Sequence, residues 1–294
     1  MTAEPASATR PHYSATRSRI SVETLWLVNG QHTGVDPADR GLAYGDGLFE
    51  TMVANRGQIR WLDWHFDRLE EGCRRLEIPA PSRSVVEREI AAHCPTDRRA
   101  IVKLIVTRGP GARGYRPPES PQPTRILSVS PWVDYPQSYY TEGVRVRVCK
   151  LRLGENPALA GIKHLCRLEQ VLAQIELRGS DVQQGLLLDA AGHVVSGTSS
   201  NVFAVYDSKL ATPALTRCGI KGVMRRAVMT AAAALGLPVA ERELSLADLL
   251  AADEMFVTNA LFGIWPVVEL EATGFTLGSI AKRLMSHLGV GGHA

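Results

Sequence analysis

No run of apolar residues in this chain approaches the roughly 20 positions that a membrane-spanning helix requires. Cysteine is scarce and irregularly placed. The five (Cys73, Cys94, Cys149, Cys166 and Cys218) are odd in number, scattered, and never spaced Cys-x-x-Cys. That argues against a disulfide framework and a zinc site, and suits a reducing cytoplasm. The eight histidines form no His-Glu-x-x-His or similar cluster, so no metal is expected. The net charge is only +3, with no basic tract interleaved with aromatics, and nucleic-acid binding is not expected either. The first residues lack the continuous apolar segment of a secretory signal. Residues 1–22 read as a disordered leader.

What is present is an ordinary globular composition, 45% hydrophobic and 21% charged over 294 residues, enough for one large domain or two smaller ones. The organising stretch is Ala160-Gly-Ile-Lys163-His-Leu165. Apolar residues Leu165, Leu168, Leu172 and Ile175 follow at spacings of three and four, which places Lys163 at the mouth of a helix. A lysine among Ile162, Leu165 and glycine backbone is short of water, and desolvation lowers an ammonium pKa. A neutral amine is what carbonyl chemistry needs.

The remaining signals fall around it. Leu62–Leu76 has Phe66, Leu69, Cys73 and Leu76 on one stripe, with Arg68 beside that stripe and able to reach across a cleft. Gly45 and Gly47 mark a sharp bend, either a loop between strands or a backbone passing close to a ligand. Arg108-Gly-Pro-Gly-Ala-Arg113-Gly-Tyr115 is a glycine-dense loop whose guanidiniums suit carboxylates; it reads as a ligand lid or as a hairpin tip. Gly219-Ile220-Lys221-Gly222 precedes the helix Val223–Leu235, a general seat for phosphate. The turn formers of 151–160 mark a linker between an N-terminal domain over 23–150 and a larger one over 161–294.

Six stretches together resemble the fold-type IV pyridoxal-phosphate enzymes, which include D-amino-acid and branched-chain aminotransferases and the 4-amino-4-deoxychorismate lyases. They are Tyr44-Gly-Asp-Gly-Leu-Phe, His65-Phe-Asp-Arg68-Leu, Arg108 to Tyr115, Asn156 to Val171, Gly219 to Arg225, and Ala252 to Leu261. The Asn156–Val171 block and the Arg-Gly-rich loop favour the lyases. The resemblance implies a small α+β domain followed by a larger, β-barrel-like α/β domain. It also implies pyridoxal 5'-phosphate as cofactor, a homodimer, a cytoplasmic location, and conversion of 4-amino-4-deoxychorismate to 4-aminobenzoate and pyruvate. An aminotransferase of D- or branched-chain amino acids is the alternative. By the same resemblance, Lys163 carries the cofactor as an aldimine, and Arg68 pairs with its phosphate, helped by Ile220, Lys221 and Asn259. Arg108, Arg113 and Tyr115 meet the substrate. One departure stands out. Where the family has an acidic residue facing the pyridine nitrogen, this chain has Ser196. A hydroxyl shares only a neutral hydrogen bond, so the cofactor would be a weaker electron sink. A displaced alignment, with the true partner elsewhere, is the competing reading.

Overall fold

A computed structural model describes residues 24–291, so the expectation of a leader over 1–22 lies outside the described residues. The chain builds two sheets. The first comprises β1 (Leu25–Val28), β2 (Gly47–Asn55), β3 (Gln58–Ile59), β4 (Arg99–Thr107) and β5 (Thr124–Pro131), all antiparallel in the order β1-β5-β4-β2-β3. Its helices are α1 (Arg40–Tyr44), α2 (Leu62–Leu76) and α3 (Arg83–His93). Alternation along β2 decides which side is covered. Leu48, Glu50, Met52 and Ala54 are buried, while Phe49, Thr51 and Val53 on the opposite face are half-buried. The buried set packs with Phe66, Leu69 and Cys73 of α2 and Val86 and Ile90 of α3.

The second sheet holds β6 (Val144–Leu153), β7 (Gln184–Asp189), β8 (Val194–Gly197), β9 (Asn201–Tyr206), β10 (Lys209–Pro213), β11 (Val239–Arg242), β12 (Glu254–Asn259) and β13 (Gly263–Leu270). The order is β11-β10-β9-β12-β13-β6-β7-β8, and a short β14 (Thr273–Gly274) pairs with β13. The end strand β8 lies against β9 and β10, so the sheet curls towards closure. Its helices are α4 (Ser138–Thr141), α5 (Leu168–Glu176), α6 (Val223–Ala234), α7 (Leu246–Leu250) and α8 (Ser279–Leu288). The run Val202–Val205 is buried on both faces. Val202 and Ala204 pack with Met255, Val257 and Trp265, whereas Phe203 and Val205 join Phe256, α6 and α8. A strand covered on both sides reads as continuous rather than alternating apolar sequence.

Two expectations need correction. The sheets divide over residues 132–143, not 151–160, because β6 runs parallel to β13 and β7 and belongs wholly to the larger sheet. Turn-forming composition marked where the chain bends but not which sheet the preceding strand joins. Lys163 is not at a helix mouth, since α5 starts at Leu168. Instead the Lys163 carbonyl accepts from Phe49 N–H at 2.9 Å, and Leu165 N–H donates to the Gly47 carbonyl at 2.9 Å. The lysine thus rides on an extended segment bridged to the start of β2.

α2 ties the halves together. Asp67 pairs with Arg226 at 2.7 Å, and Arg75 donates to the carbonyls of Ala160 (2.7 Å) and Pro157 (3.1 Å).

Candidate active site

A cavity of about 320 Å³ lies where β2, α2, the Lys163 segment, the β8–β9 turn, the start of α6 and the β12–β13 turn meet. The two glycines of the Tyr44–Phe49 stretch permit this geometry. A Cβ on Gly45 (φ 67°) would stand 2.6 Å from Cys166 Sγ, and one on Gly47 would stand 2.9 Å from Leu165 Cδ1. The close approach is therefore of the lysine segment itself against β2. Lys163 Nζ lies 4.2 Å from the centroid of the Phe49 ring, and Lys103 Nζ approaches the same ring at 5.3 Å. Burial, then the charge of Arg68, lowers the Lys163 amine to about 7, with Arg167 and Lys103 adding to the shift and Glu50 opposing it. Close to half of the amine is then unprotonated at neutral pH.

Arg68 enters from α2 and is held rigidly. Its Nε donates to Glu50 Oε1 at 2.8 Å, its Nη2 meets Glu50 Oε2, and its Nη1 donates to the Lys221 carbonyl at 3.1 Å. Behind it, His65 Nδ1 lies 2.6 Å from Glu50 Oε2. Burial alone would raise the Glu50 carboxyl, but Arg68 and the hydrogen bond from His65 hold it at about 2. Sequence reasoning did not single out Glu50 or His65 for a role. The readable signal was a glutamate sharing strand parity with Leu48 and Met52.

The Gly219–Gly222 turn lies against the Lys163 segment, with Gly161 N–H donating to the Gly219 carbonyl at 2.9 Å. Ile220 lines the cavity, but Lys221 does not. Its N–H donates to the Gly161 carbonyl at 3.0 Å, and its side chain lies along Gly161 outside the cavity. Lys221, expected to help hold the phosphate, thus has its amide bonded to the Lys163 segment. Among the described residues, the N–H groups of Ile220 and Val223 have no partner, and they sit at the positive end of α6. Asn201, also unanticipated, fixes this turn by donating to the Ile220 carbonyl (2.8 Å) and accepting from Gly222 N–H (3.1 Å).

Asn259 lines the cavity, its side chain bonded on both the oxygen and the nitrogen. It donates to the Ser199 carbonyl at 3.0 Å and accepts from Leu261 and Phe262 N–H at 2.9 Å each. It shapes the β12–β13 turn and keeps the second N–H of its amide free. Ser196 is buried on the cavity wall, its hydroxyl unbonded to any described residue. No carboxylate occurs among the described residues lining the cavity, so nothing there takes the place of the missing acid.

The substrate-binding trio lies elsewhere. Arg108 is buried and committed, with Nε 2.8 Å from Asp46 Oδ2 and its other nitrogens donating to the carbonyls of Leu76 (2.7 Å) and Glu77 (2.9 Å). Expected to meet the substrate, it has these partners and does not line the cavity. Arg113 is exposed, and Tyr115 is 85% exposed, its ring 5.4 Å from that of Tyr44. Neither lines the cavity of its own chain. The loop carrying them is docked, since Arg40 donates to the carbonyls of Gly114 (2.9 Å) and Tyr115 (3.0 Å).

The residues present fit a phosphorylated aldehyde: an amine lowered towards neutrality, a preset guanidinium and open amides at a helix N-terminus share one cavity. The family model for amino-transferase class IV matches residues 47–270. The chain is 36% identical over 270 residues to aminodeoxychorismate lyase of Vibrio harveyi, covering 90% of this chain and 99% of that one. The crystal structure of 4-amino-4-deoxychorismate lyase from Pseudomonas aeruginosa superposes with a TM-score of 0.86 at 46% identity, over 90% of this chain and 98% of that one. The branched-chain-amino-acid aminotransferase of Escherichia coli is 28% identical over 275 residues, 88% of each chain.

Proposed function

The chain belongs to the amino-transferase class IV family, and from that premise we infer that it is a pyridoxal-phosphate-dependent aminodeoxychorismate lyase, releasing 4-aminobenzoate and pyruvate. The observation that carries the reading is Lys163, an amine lowered to about 7 in the same cavity as Arg68 and the start of α6. The extent and identity of the match to the Vibrio and Pseudomonas lyases support the choice of reaction.

Pyridoxal phosphate, when bound, supplies a carbon that takes up the substrate amine and a ring that draws off electrons. Arg68, oriented by Glu50, and the open N–H groups of Ile220 and Val223 would hold its phosphate. Ser196 would give its ring nitrogen a neutral hydrogen bond. Lys163 removes the proton from the substrate ring carbon that bears the amine. The carbon–oxygen bond to the enolpyruvyl group breaks as the ring becomes aromatic. That group gains a proton at its methylene carbon and leaves as pyruvate. Atoms and electrons balance without another reactant.

An aminotransferase is the second reading, favoured by the identity with the Escherichia coli enzyme. Ser196 weighs against it, because aromatisation drives the lyase reaction where a weak electron sink would slow amine transfer. Holoenzyme assayed for 4-aminobenzoate and for keto-acid-dependent amine transfer separates the two. Borohydride reduction followed by mass spectrometry should put the pyridoxyl label on the Lys163 peptide, and a label on another side chain overturns the reading. With D-alanine in a single turnover, pyridoxamine phosphate should form slowly, and rapid accumulation would remove the role given to Ser196.

A homodimer accounts for the face of α5. Leu168, Val171, Leu172 and Ile175 form one apolar stripe that is exposed in the single chain, with Leu168 at 69%. In such a pair, Arg113 and Tyr115 are free to serve the partner's cavity. Sedimentation should give twice the chain mass. Five free cysteines, and no helix among the described residues long and apolar enough to cross a membrane, support a cytoplasmic location.

A further inference from the structure

Two side chains in the cavity have no part in the chemistry above. Arg167 and Gln170 both line it, Arg167 as the cap residue before α5 and Gln170 in its first turn. Each has an enclosed polar atom without a partner, Arg167 Nε and Gln170 Oε1. No carboxylate pairs with Arg167 among the described residues. Its one side-chain contact is from Nη2 to His164 Nε2. A guanidinium can only donate, so His164 Nε2 accepts and the proton of that ring sits on Nδ1. Burial, then the charge of Arg167, lowers His164 to about 4, so the imidazole stays neutral and steers Arg167 without competing for an anion. A half-buried guanidinium with an enclosed, unpartnered Nε and no counter-ion favours an anionic ligand.

We propose that Arg167 and Gln170 form a carboxylate seat for the substrate, distinct from the phosphate seat at Arg68. The proposal rests on the lyase reading of the site. The Arg167 fork donates to the carboxylate, and the Gln170 amide, once turned, adds its NH₂. Arg108, the arginine that the sequence offered for this task, is consumed by Asp46 and two carbonyls. The substrate carries two carboxylates. One stays on the ring and leaves with 4-aminobenzoate; the other sits on the enolpyruvyl group and leaves with pyruvate. Both have the chemistry the seat recognises.

The test uses holoenzyme and the variants Arg167→Gln, Arg167→Lys and Gln170→Leu. Loss of a charge-assisted hydrogen bond should raise KM for the substrate about 10- to 100-fold in Arg167→Gln. Gln170→Leu should show a smaller rise, and Arg167→Lys only partial recovery, since an ammonium lacks the planar fork. The cofactor's absorbance and retention should not change. Titration with 4-aminobenzoate and with pyruvate assigns the carboxylate: the product that loses affinity in Arg167→Gln is the one seated there. Unchanged KM and unchanged affinity for both products overturn the proposal. So does a shifted cofactor spectrum with unaltered KM, which would give Arg167 to the cofactor instead. If wild-type holoenzyme transfers amines to keto acids and makes no 4-aminobenzoate, the lyase reading fails. The seat is then judged by pyruvate affinity alone.

Discussion

The two walls of the cavity are built to different degrees of completion. On the Arg68 wall the guanidinium meets both oxygens of a buried carboxylate and a carbonyl, and that carboxylate is in turn steadied by His65, whose Nε2 is the one enclosed atom left unpartnered among these described groups. On the Arg167 wall, Arg167 Nε, Gln170 Oε1 and His164 Nδ1 are enclosed and unpartnered. A resident ligand rewards a wall whose geometry is fixed in advance, because nothing need reorganise on binding. A ligand that turns over must supply the missing bonds itself and lose them on leaving. Lys163 stands in the same cavity as both walls, and charges from both act on it.

The largest effect expected is at the shared residue. Lys163→Ala should lower product formation by at least about 1000-fold while the circular dichroism spectrum stays native. Residual turnover within tenfold of wild type would leave the two walls without a common centre.

Next comes the finished wall. Glu50→Gln breaks a buried ion pair and should cost about 3–5 kcal/mol of stability, read by denaturant unfolding, and weaken cofactor binding at least about tenfold. The pH dependence sharpens this. Glu50 is held at about 2 against an ordinary 4.5, so its contribution is present above pH 4.5 and is lost as pH falls towards 2. Wild type should lose about 3 kcal/mol across that window, and Glu50→Gln should lack this component.

A smaller effect separates a structural arginine from a substrate-binding one. Arg108→Ala leaves Asp46 to Arg40 alone and frees the carbonyls of Leu76 and Glu77, and should cost about 2–3 kcal/mol with KM changed less than twofold. A large rise in KM at unchanged thermal midpoint would return Arg108 to the substrate.

What could be read from sequence divides along the same lines. Arg68 was legible because α2 is amphipathic from Leu62 to Leu76, and periodicity locates a residue relative to a stripe. Lys163 stood out through the resemblance carried by Asn156–Val171, its local composition alone being a weak signal, and its backbone is extended rather than helical. Periodicity also gave the apolar stripe of α5 but could not say what covers it. Asn201 and Lys221 were beyond reach in a different way. Whether an amide or a side chain is free depends on a partner far along the chain, as with Gly161 and Lys221, and no local pattern encodes that. Arg167 lay inside a stretch already singled out, yet its role turns on the absence of a counter-ion, which only packing reveals.

The smallest expected effect is also the one that tests both walls at once. Lys163 is lowered to about 7, so its reactive, unprotonated form grows as pH rises through that value. Capture of pyridoxal phosphate by apoprotein, followed by stopped-flow absorbance, should speed up about tenfold from pH 6 to pH 8 and then level off. An ordinary lysine near 10.5 would give about a hundredfold rise over the same interval with no plateau. Burial contributes most to the shift and Arg68 second, ahead of Arg167. Arg68→Leu should therefore move the midpoint upward more than Arg167→Gln does. Glu50→Gln should move it downward, because a negative charge that favours the ammonium is lost. If all three variants share the wild-type midpoint, the amine is tuned by burial alone, and neither wall acts on it electrostatically.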